Sequence, residues 1–173
     1  MPPQMNSVAG PKAAATAAPQ LLVMCTGNVC RSPIGEVMLR HHLALAGADA
    51  EVFSRGLGAP AGRAPHPFAV QVSDAHGVSI PEDKRAAQVN DIDLRMAVAV
   101  LVMDNGHRHE IQRRYSFASG KTFLMGHWQG NKEIEDPIHS PVEAFEQCWV
   151  DIDEGCRSWV EKLLEMGLIK HKA

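Results

Sequence analysis

One loop, between an apolar run and a helix start, restricts the fold of this chain more than any other segment. Residues 21–24 are all apolar, which is typical of a buried strand. The segment CTGNVCRS follows at 25–32, and Pro33 then opens a helix that we expect to end near Gly47. Because a loop between a strand and a helix N-terminus presents several backbone N–H groups to one point, it favours anions there. The segment therefore predicts a phosphate-binding loop.

Residue types within this loop suit an attack on phosphorus. A thiolate at Cys25 would be stabilised by the helix N-terminus, by N–H donors and by a nearby cation, so we expect Cys25 to be the nucleophile. Arg31 stays charged and its planar fork matches two phosphate oxygens, so we expect it to clamp the phosphate. The predicted phosphate-binding residues are Thr26, Gly27, Asn28, Val29, Cys30 and Ser32, the last also placed to donate to the cysteine sulfur.

An acid for the leaving group is found much later in the chain. Cleavage of a phosphoester requires a proton for the departing oxygen, and a carboxyl group can supply it. Asp136 is followed by Pro137, which restrains the turn, in a loop that we expect at 131–141. An Asp-Pro pair also marks many simple turns, but beside a phosphate-binding loop it predicts a general acid.

Strand-like and helical segments alternate from residue 20 onwards. The run AVAVLVM at 97–103 has no polar residue, as expected for a central parallel strand covered on both faces. The alternation predicts an α/β fold: a single-domain three-layer sandwich with a central, mostly parallel, doubly wound sheet and helices on both faces. We expect strands at 21–25, 51–54, 97–103 and 121–125, and helices at 32–47, 68–77, 104–115 and 142–166, the third of them capped by Asp104.

Composition and charge exclude several functions. A net charge of −3 and a pI near 6.3 leave no basic face for nucleic acid, and no apolar run approaches the ~20 residues of a membrane span. The folded domain is expected at 20–168, preceded by a disordered tail at 1–19 and followed by a C-terminal tail at 169–173. Since residues 1–19 lack the features of an export signal, we expect a cytoplasmic protein.

The remaining cysteines, histidines and tryptophans are expected to be structural. Cys148 and Cys156 share the apolar stripe of the last helix, about 12 Å apart along its axis, which is too far for one disulfide or one zinc ion. None of the nine histidines has the spacing of a metal site, so they, including His107, are expected to be packed or solvated. His139 is the exception, because it lies three residues past Asp136, at the expected rim of the pocket. Trp128 and Trp149 are expected in the core. We predict no metal and no cofactor.

The motifs VMCTGNVCRSP at 23–33 and EDP at 135–137 resemble the low-molecular-weight protein tyrosine phosphatase family. The segment SRG at 54–56 adds weaker support. The resemblance implies hydrolysis of phosphotyrosine through a phosphocysteine intermediate, with Asp136 as general acid and then general base. For Cys30 it implies a reversible disulfide with the nucleophile, and packing within the loop is an equal alternative.

Departures from the family pattern indicate a bacterial-type member. Ile138 and His139 stand where members close to the animal enzymes have two tyrosines. Residues 83–86 lack the histidine that braces the loop asparagine in many members, so we expect another brace for Asn28. Bacterial relatives often act with tyrosine kinases of exopolysaccharide export. The implied partner is a phosphotyrosine-containing protein, with such a kinase as a candidate.

Two other functions fit the same motifs. Thioredoxin-linked arsenate reductases resemble this fold and loop, but they need two further cysteines in a central segment, and residues 31–147 contain none. A non-catalytic phosphotyrosine-binding module usually lacks the cysteine, the arginine or the acid, whereas Cys25, Arg31 and Asp136 are all present here. The phosphatase is therefore the favoured prediction.

Overall fold

A four-stranded parallel sheet forms the centre of the protein in the computed structural model, which describes residues 17–173. Strands β3, β1, β4 and β5 lie side by side in that order. The chain order reverses between β1 and β4, and in such folds ligands bind beyond the carboxyl ends of the strands at this point. The strands are β1 (Gln20–Cys25), β2 (Ala48–Asp49), β3 (Glu51–Gly56), β4 (Ala97–Val102), β5 (Thr122–Leu124) and β6 (Lys170–His171).

Within residues 17–173, five α-helices cover the two faces of this sheet. Helices α1, α2 and α5 pack together on one face, and α3 and α4 pack on the other. The predicted three-layer α/β sandwich is confirmed. The helices are α1 (Arg31–Ala46), α2 (Pro67–Ala75), α3 (Asp91–Met96), α4 (Asn105–Arg114) and α5 (Val142–Glu165), and a 3₁₀ helix spans Ser116–Lys121.

The alternation of side chains along β1 explains why residues 21–24 are all apolar. Leu21 and Val23 point into the core formed with α1, α2 and α5, whereas Leu22 and Met24 point into the core formed with α3 and α4. All four side chains are fully buried. Since successive side chains of a strand point to opposite faces, a strand covered on both sides must be apolar at every position.

Every predicted strand and helix is present, with bounds that differ by two residues or fewer. Helix α3 and the small antiparallel sheet of β2 and β6 were not predicted. The folded region also extends past the predicted boundary at residue 168. Gly167, with φ 71, turns the chain after α5, and Ile169 returns to the core with 1% exposure. Residues 1–16 of the predicted tail lie outside the described residues.

The two tryptophans outside the predicted motifs differ in burial. Trp128 is 37% exposed, so its predicted place in the core is wrong. Its ring packs edge-on against the buried Trp159, with the Lys162 ammonium 5.2 Å from its centre. Trp149 is partly buried and stacks on the His76 ring.

Among residues 17–173, none of the helices has the length and apolarity that a bilayer crossing requires.

Candidate active site

The loop at 25–31 folds back on the Cys25 sulfur. Asn28 has φ 55, a left-handed conformation that asparagine tolerates better than most residues. This bend brings the Asn28 N–H to 3.3 Å from Cys25 Sγ, and Ser32 Oγ lies 3.0 Å from the same sulfur. Within residues 17–173, the amides of residues 27 and 29–31 make no hydrogen bond to another residue. Unpaired donors at a helix start favour an anion.

The segment that follows β3 supports this loop from one side. The N–H of Leu57 donates to the Cys25 carbonyl at 3.1 Å, and the N–H of Gly58 donates to the Thr26 carbonyl at 3.0 Å. Gly56 allows this approach, because a Cβ there would lie 2.5 Å from the Thr26 carbonyl oxygen. The loop backbone is therefore packed directly against backbone.

The Asn28 side chain is the internal brace of the loop. Its amide nitrogen donates to Ser32 Oγ at 2.7 Å and to Ser54 Oγ at 3.0 Å, and its amide oxygen accepts from the Ala87 N–H at 3.0 Å. The side chain is buried, so these bonds also satisfy polar groups that water does not reach. The alternative brace expected for Asn28 is thus formed by Ser54 on β3 and the Ala87 backbone.

Arg31 is held at the junction of three segments. Its guanidinium is buried, and Nη1 donates to Asp104 Oδ2 at 3.0 Å and to the Ile134 carbonyl at 2.8 Å. Its Nη2 lies 3.6 Å from Asp136 Oδ2. A buried charge requires such partners, because taking it from water without them is costly. These contacts bring the predicted arginine and the predicted acid together.

Asp104 follows β4 and caps α4, as predicted, but its contact with Arg31 was not predicted. Its Oδ1 accepts from the His107 N–H at 2.9 Å. Burial raises the pKa of this carboxyl, but hydrogen bonds from the His107 backbone and Arg31, together with nearby positive charge, outweigh burial and lower the pKa overall. Asp104 is therefore an anion that neutralises Arg31.

Asp136 lies on the rim of the site, on the loop between β5 and α5. Its side chain is 41% exposed, and its Oδ1 accepts from the Ile138 N–H at 3.2 Å. Ile138 packs partly against the core, and His139 is exposed. A carboxyl group at the rim can exchange protons with solvent and reach a bound leaving group.

Cys30, the second cysteine of the loop, is buried like Cys25. Burial, followed by the charges of Asp136 and Cys25, raises the pKa of Cys30 to about 12. Cys30 therefore remains a thiol at neutral pH and does not compete as a nucleophile. Cys148 and Cys156 are buried in the core, as predicted.

His107 contacts the loop, which the sequence did not indicate. Its ring is buried in the first turn of α4, and its Nε2 lies 3.0 Å from Thr26 Oγ1. The prediction of a packed or solvated histidine describes its burial but misses this contact. The available signal was its position, three residues after Asp104, where a central strand ends.

Comparisons with known proteins agree with this geometry. The family model described as low molecular weight phosphotyrosine protein phosphatase matches residues 20–167. The probable low molecular weight protein-tyrosine-phosphatase EpsP of Ralstonia nicotianae is 35% identical over 147 residues, which cover 85% of this chain and 97% of EpsP. The low molecular weight protein-tyrosine-phosphatase Wzb of Salmonella typhimurium is 35% identical over 145 residues, which cover 83% of this chain and 93% of Wzb.

Solved structures show the same fold. Vibrio vulnificus Wzb in complex with benzylphosphonate aligns with a TM-score of 0.78 at 32% identity, covering 85% of this chain and 100% of that chain. The YwlE arginine phosphatase from Geobacillus stearothermophilus aligns with a TM-score of 0.77 at 30% identity, covering 86% of this chain and 95% of that chain. The extent of the family match and of these identities shows that this chain belongs to the low molecular weight protein-tyrosine-phosphatase family, among its bacterial members.

Proposed function

We propose that this enzyme hydrolyses phosphotyrosine with Cys25 as nucleophile, Arg31 as phosphate clamp and Asp136 as general acid and base. The observation that carries the proposal is that Arg31, at the end of the loop that begins with Cys25, lies beside Asp136 of a second loop. The Cys25 sulfur lies beside the Ser32 hydroxyl at 3.0 Å, and Arg31 Nη2 lies 3.6 Å from Asp136 Oδ2. A nucleophile, a cation and an acid in one place are what phosphoester cleavage requires.

The phosphate is held by the loop backbone and by part of the arginine. Because Arg31 Nη1 already donates to Asp104 and to the Ile134 carbonyl, its Nε and Nη2 remain for two phosphate oxygens. The unpaired loop amides supply further donors around the charge that develops at phosphorus. The loop residues assigned to phosphate binding are Thr26, Gly27, Asn28, Val29, Cys30 and Ser32.

The first step transfers the phosphoryl group to sulfur. The Cys25 thiolate forms a bond to phosphorus as the bond from phosphorus to the tyrosine oxygen breaks. Asp136, in its protonated form, delivers its proton to that departing oxygen. The Ser32 hydroxyl and the Asn28 N–H lie within hydrogen-bond reach of Cys25 Sγ and stabilise its charge before attack.

The second step returns the enzyme to its starting state. Asp136, now a carboxylate, accepts a proton from water, whose oxygen attacks phosphorus as the bond to Cys25 breaks. Inorganic phosphate leaves, and the thiolate regains the donors from Ser32 and Asn28. The protein supplies every charge for this cycle, so it needs no metal and no cofactor.

The substrate that we propose is a phosphotyrosine-containing protein in the cytoplasm. The names of the relatives EpsP and Wzb describe them as protein-tyrosine-phosphatases, which supports this substrate class. A bacterial tyrosine kinase of exopolysaccharide export is the candidate partner. Dephosphorylation of such a kinase in vitro, compared with a phosphoserine protein, tests this choice.

Hydrolysis of para-nitrophenyl phosphate between pH 5 and 8, with EDTA present, tests the mechanism directly. We expect activity in the reduced wild type and a loss of at least about 10⁴-fold in Cys25→Ser. Mass spectrometry of acid-quenched wild-type enzyme should find a phosphoryl group on Cys25. Activity that persists in Cys25→Ser contradicts the mechanism, and wild-type enzyme that reduces arsenate without hydrolysing the phosphoester contradicts the function.

A further inference from the structure

His107 joins two backbone segments of the site through its two ring nitrogens. Its Nδ1 lies 3.2 Å from the Met103 amide nitrogen, and its Nε2 lies 3.0 Å from Thr26 Oγ1. Met103 follows β4, and Thr26 follows the nucleophile in the phosphate-binding loop. The ring thus links the end of β4 to the phosphate-binding loop, which follows the adjacent strand β1.

The hydrogen bonds determine the tautomer of this ring. A backbone N–H can only donate, so His107 Nδ1 accepts from Met103 and carries no proton. In the neutral ring the proton is then on Nε2, which donates to Thr26 Oγ1. The Thr26 oxygen is the acceptor in this bond, so its own hydrogen remains available to a phosphate oxygen.

We infer that His107 is a positioning residue that fixes Thr26, and through it the first turn of the phosphate-binding loop, for catalysis. The inference rests on the proposed function, because the loop it positions is the one assigned to phosphate binding. Thr26 is exposed, so without the bond to His107 its side chain would be free to rotate. The buried ring of His107, in contrast, is held by packing.

The surroundings of His107 keep it neutral. Burial, followed by the charge of Arg31, lowers its pKa to about 4, against the opposing effects of Asp104 and Asp136. Protonation would place a hydrogen on Nδ1 and break the bond from Met103. At neutral pH the ring therefore keeps both hydrogen bonds in the required direction.

Two similar variants of His107 distinguish the contributions of its two ring nitrogens. In His107→Gln the side-chain amide nitrogen lies near the position of Nε2 and can still donate to Thr26, whereas the shorter side chain in His107→Asn reaches only the position of Nδ1. We expect kcat/KM for para-nitrophenyl phosphate to fall about tenfold in His107→Asn and less than about threefold in His107→Gln, since one hydrogen bond is lost. Inhibition by inorganic phosphate should weaken in parallel.

Coupling to the loop is measured with Thr26→Val, which removes the hydroxyl and keeps the side-chain shape. We expect about a tenfold loss in Thr26→Val, and no additional loss when it is combined with His107→Asn. His109→Gln, at an exposed position on the same helix, is the control and should match the wild type.

Equal losses in His107→Asn and His107→Gln, losses that multiply in the double variant, or unchanged phosphate inhibition would overturn the inference. If His107→Asn fails to fold, His107→Leu, which cannot donate a hydrogen bond, takes its place: it should lose about tenfold, with no additional loss when it is combined with Thr26→Val. An inactive wild type would instead count against the proposed function.

Discussion

The two loops that meet at the carboxyl end of β1 are held in different ways. The phosphate-binding loop, 25–31, is held by side chains on several sides: the buried Asn28 side chain alone donates two hydrogen bonds and accepts a third. The loop at 131–141 is anchored at Ile134, whose N–H donates to the Met103 carbonyl at 2.9 Å. Beyond this anchor, Asp136 is 41% exposed and meets Arg31 only at 3.6 Å.

This difference matches the different tasks proposed for the loops. Donors that stabilise charge on phosphorus are effective when they are fixed before the substrate arrives, because they then need no reorganisation during the reaction. An acid must also exchange its proton with water in every cycle, which requires access to solvent. The molecule therefore separates a fixed loop, which we propose binds phosphate, from an exposed carboxyl group, which we propose donates the proton.

Among the variants that compare these two loops, the largest effect is expected from Arg31→Lys, which keeps the charge and removes the planar fork. Lysine cannot hold Asp104 and the Ile134 carbonyl through one nitrogen while offering two more donors to phosphate. We expect kcat/KM for para-nitrophenyl phosphate to fall about 10³-fold, equivalent to about 4 kcal/mol. Arg113→Lys, at an exposed position on α4, is the control. A loss below tenfold would show that charge alone is sufficient.

Sequence patterns predicted the parts of the site that are contiguous in the chain. The loop at 25–32 combines a strand, a turn and a helix start, and each has a local signature. Asp104 was predicted only as a helix cap, and His107 only as a packed or solvated residue. Their contacts with the loop arise because β4 ends beside β1, and this strand order has no local signature. The two-residue strands β2 and β6 are too short for any periodicity to predict them.

The second prediction compares His107, which is buried beside the phosphate-binding loop, with His139, which is exposed on the loop at 131–141. The pKa of His107 is lowered from 6.5 to about 4 by burial, so between these values the unfolded chain binds more protons than the folded chain. The free energy of unfolding should therefore decrease as pH falls from 6.5 to 4, by about 3 kcal/mol from this residue.

Urea unfolding of wild type, His107→Gln and His139→Gln at several pH values measures this contribution. The His107→Gln curve should fall less steeply with acid than the wild-type curve, because glutamine does not titrate. His139→Gln, which removes an exposed histidine from the loop at 131–141, is the matched control. Parallel curves for all three proteins would contradict the assignment.

The third prediction tests the acid on the loop at 131–141 with the variant Asp136→Asn. Asparagine retains the shape but has no acidic proton, so kcat should fall about 10²-fold for phosphotyrosine. The loss should shrink for an aryl phosphate whose leaving group is acidic enough to depart without a proton. Binding of inorganic phosphate should change less than about threefold, because the loop at 25–31 is intact. Glu135→Gln, the exposed neighbour, is the control, and a uniform loss for all leaving groups would refute the acid role.

The smallest effect is expected from Asn28→Gly, which tests whether rigidity of the phosphate-binding loop depends on side-chain bonds. Glycine accepts the φ of 55 without strain, so this variant removes the three hydrogen bonds and leaves the bend itself allowed. The Ala87 N–H and the Ser54 hydroxyl lose a buried partner, which should lower the free energy of unfolding by about 2 kcal/mol.

Catalysis in Asn28→Gly should fall about tenfold, with weaker phosphate inhibition, because the amides of a loosened loop must reorganise around the substrate. Asn28→Ala should be less stable than Asn28→Gly by about 1 kcal/mol, since alanine adds backbone strain to the same lost contacts. Urea unfolding and phosphate inhibition of the two variants distinguish the lost side-chain bonds from the added backbone strain. A glycine variant as active as the wild type would mean that the backbone contacts from Leu57 and Gly58 are sufficient to hold the loop.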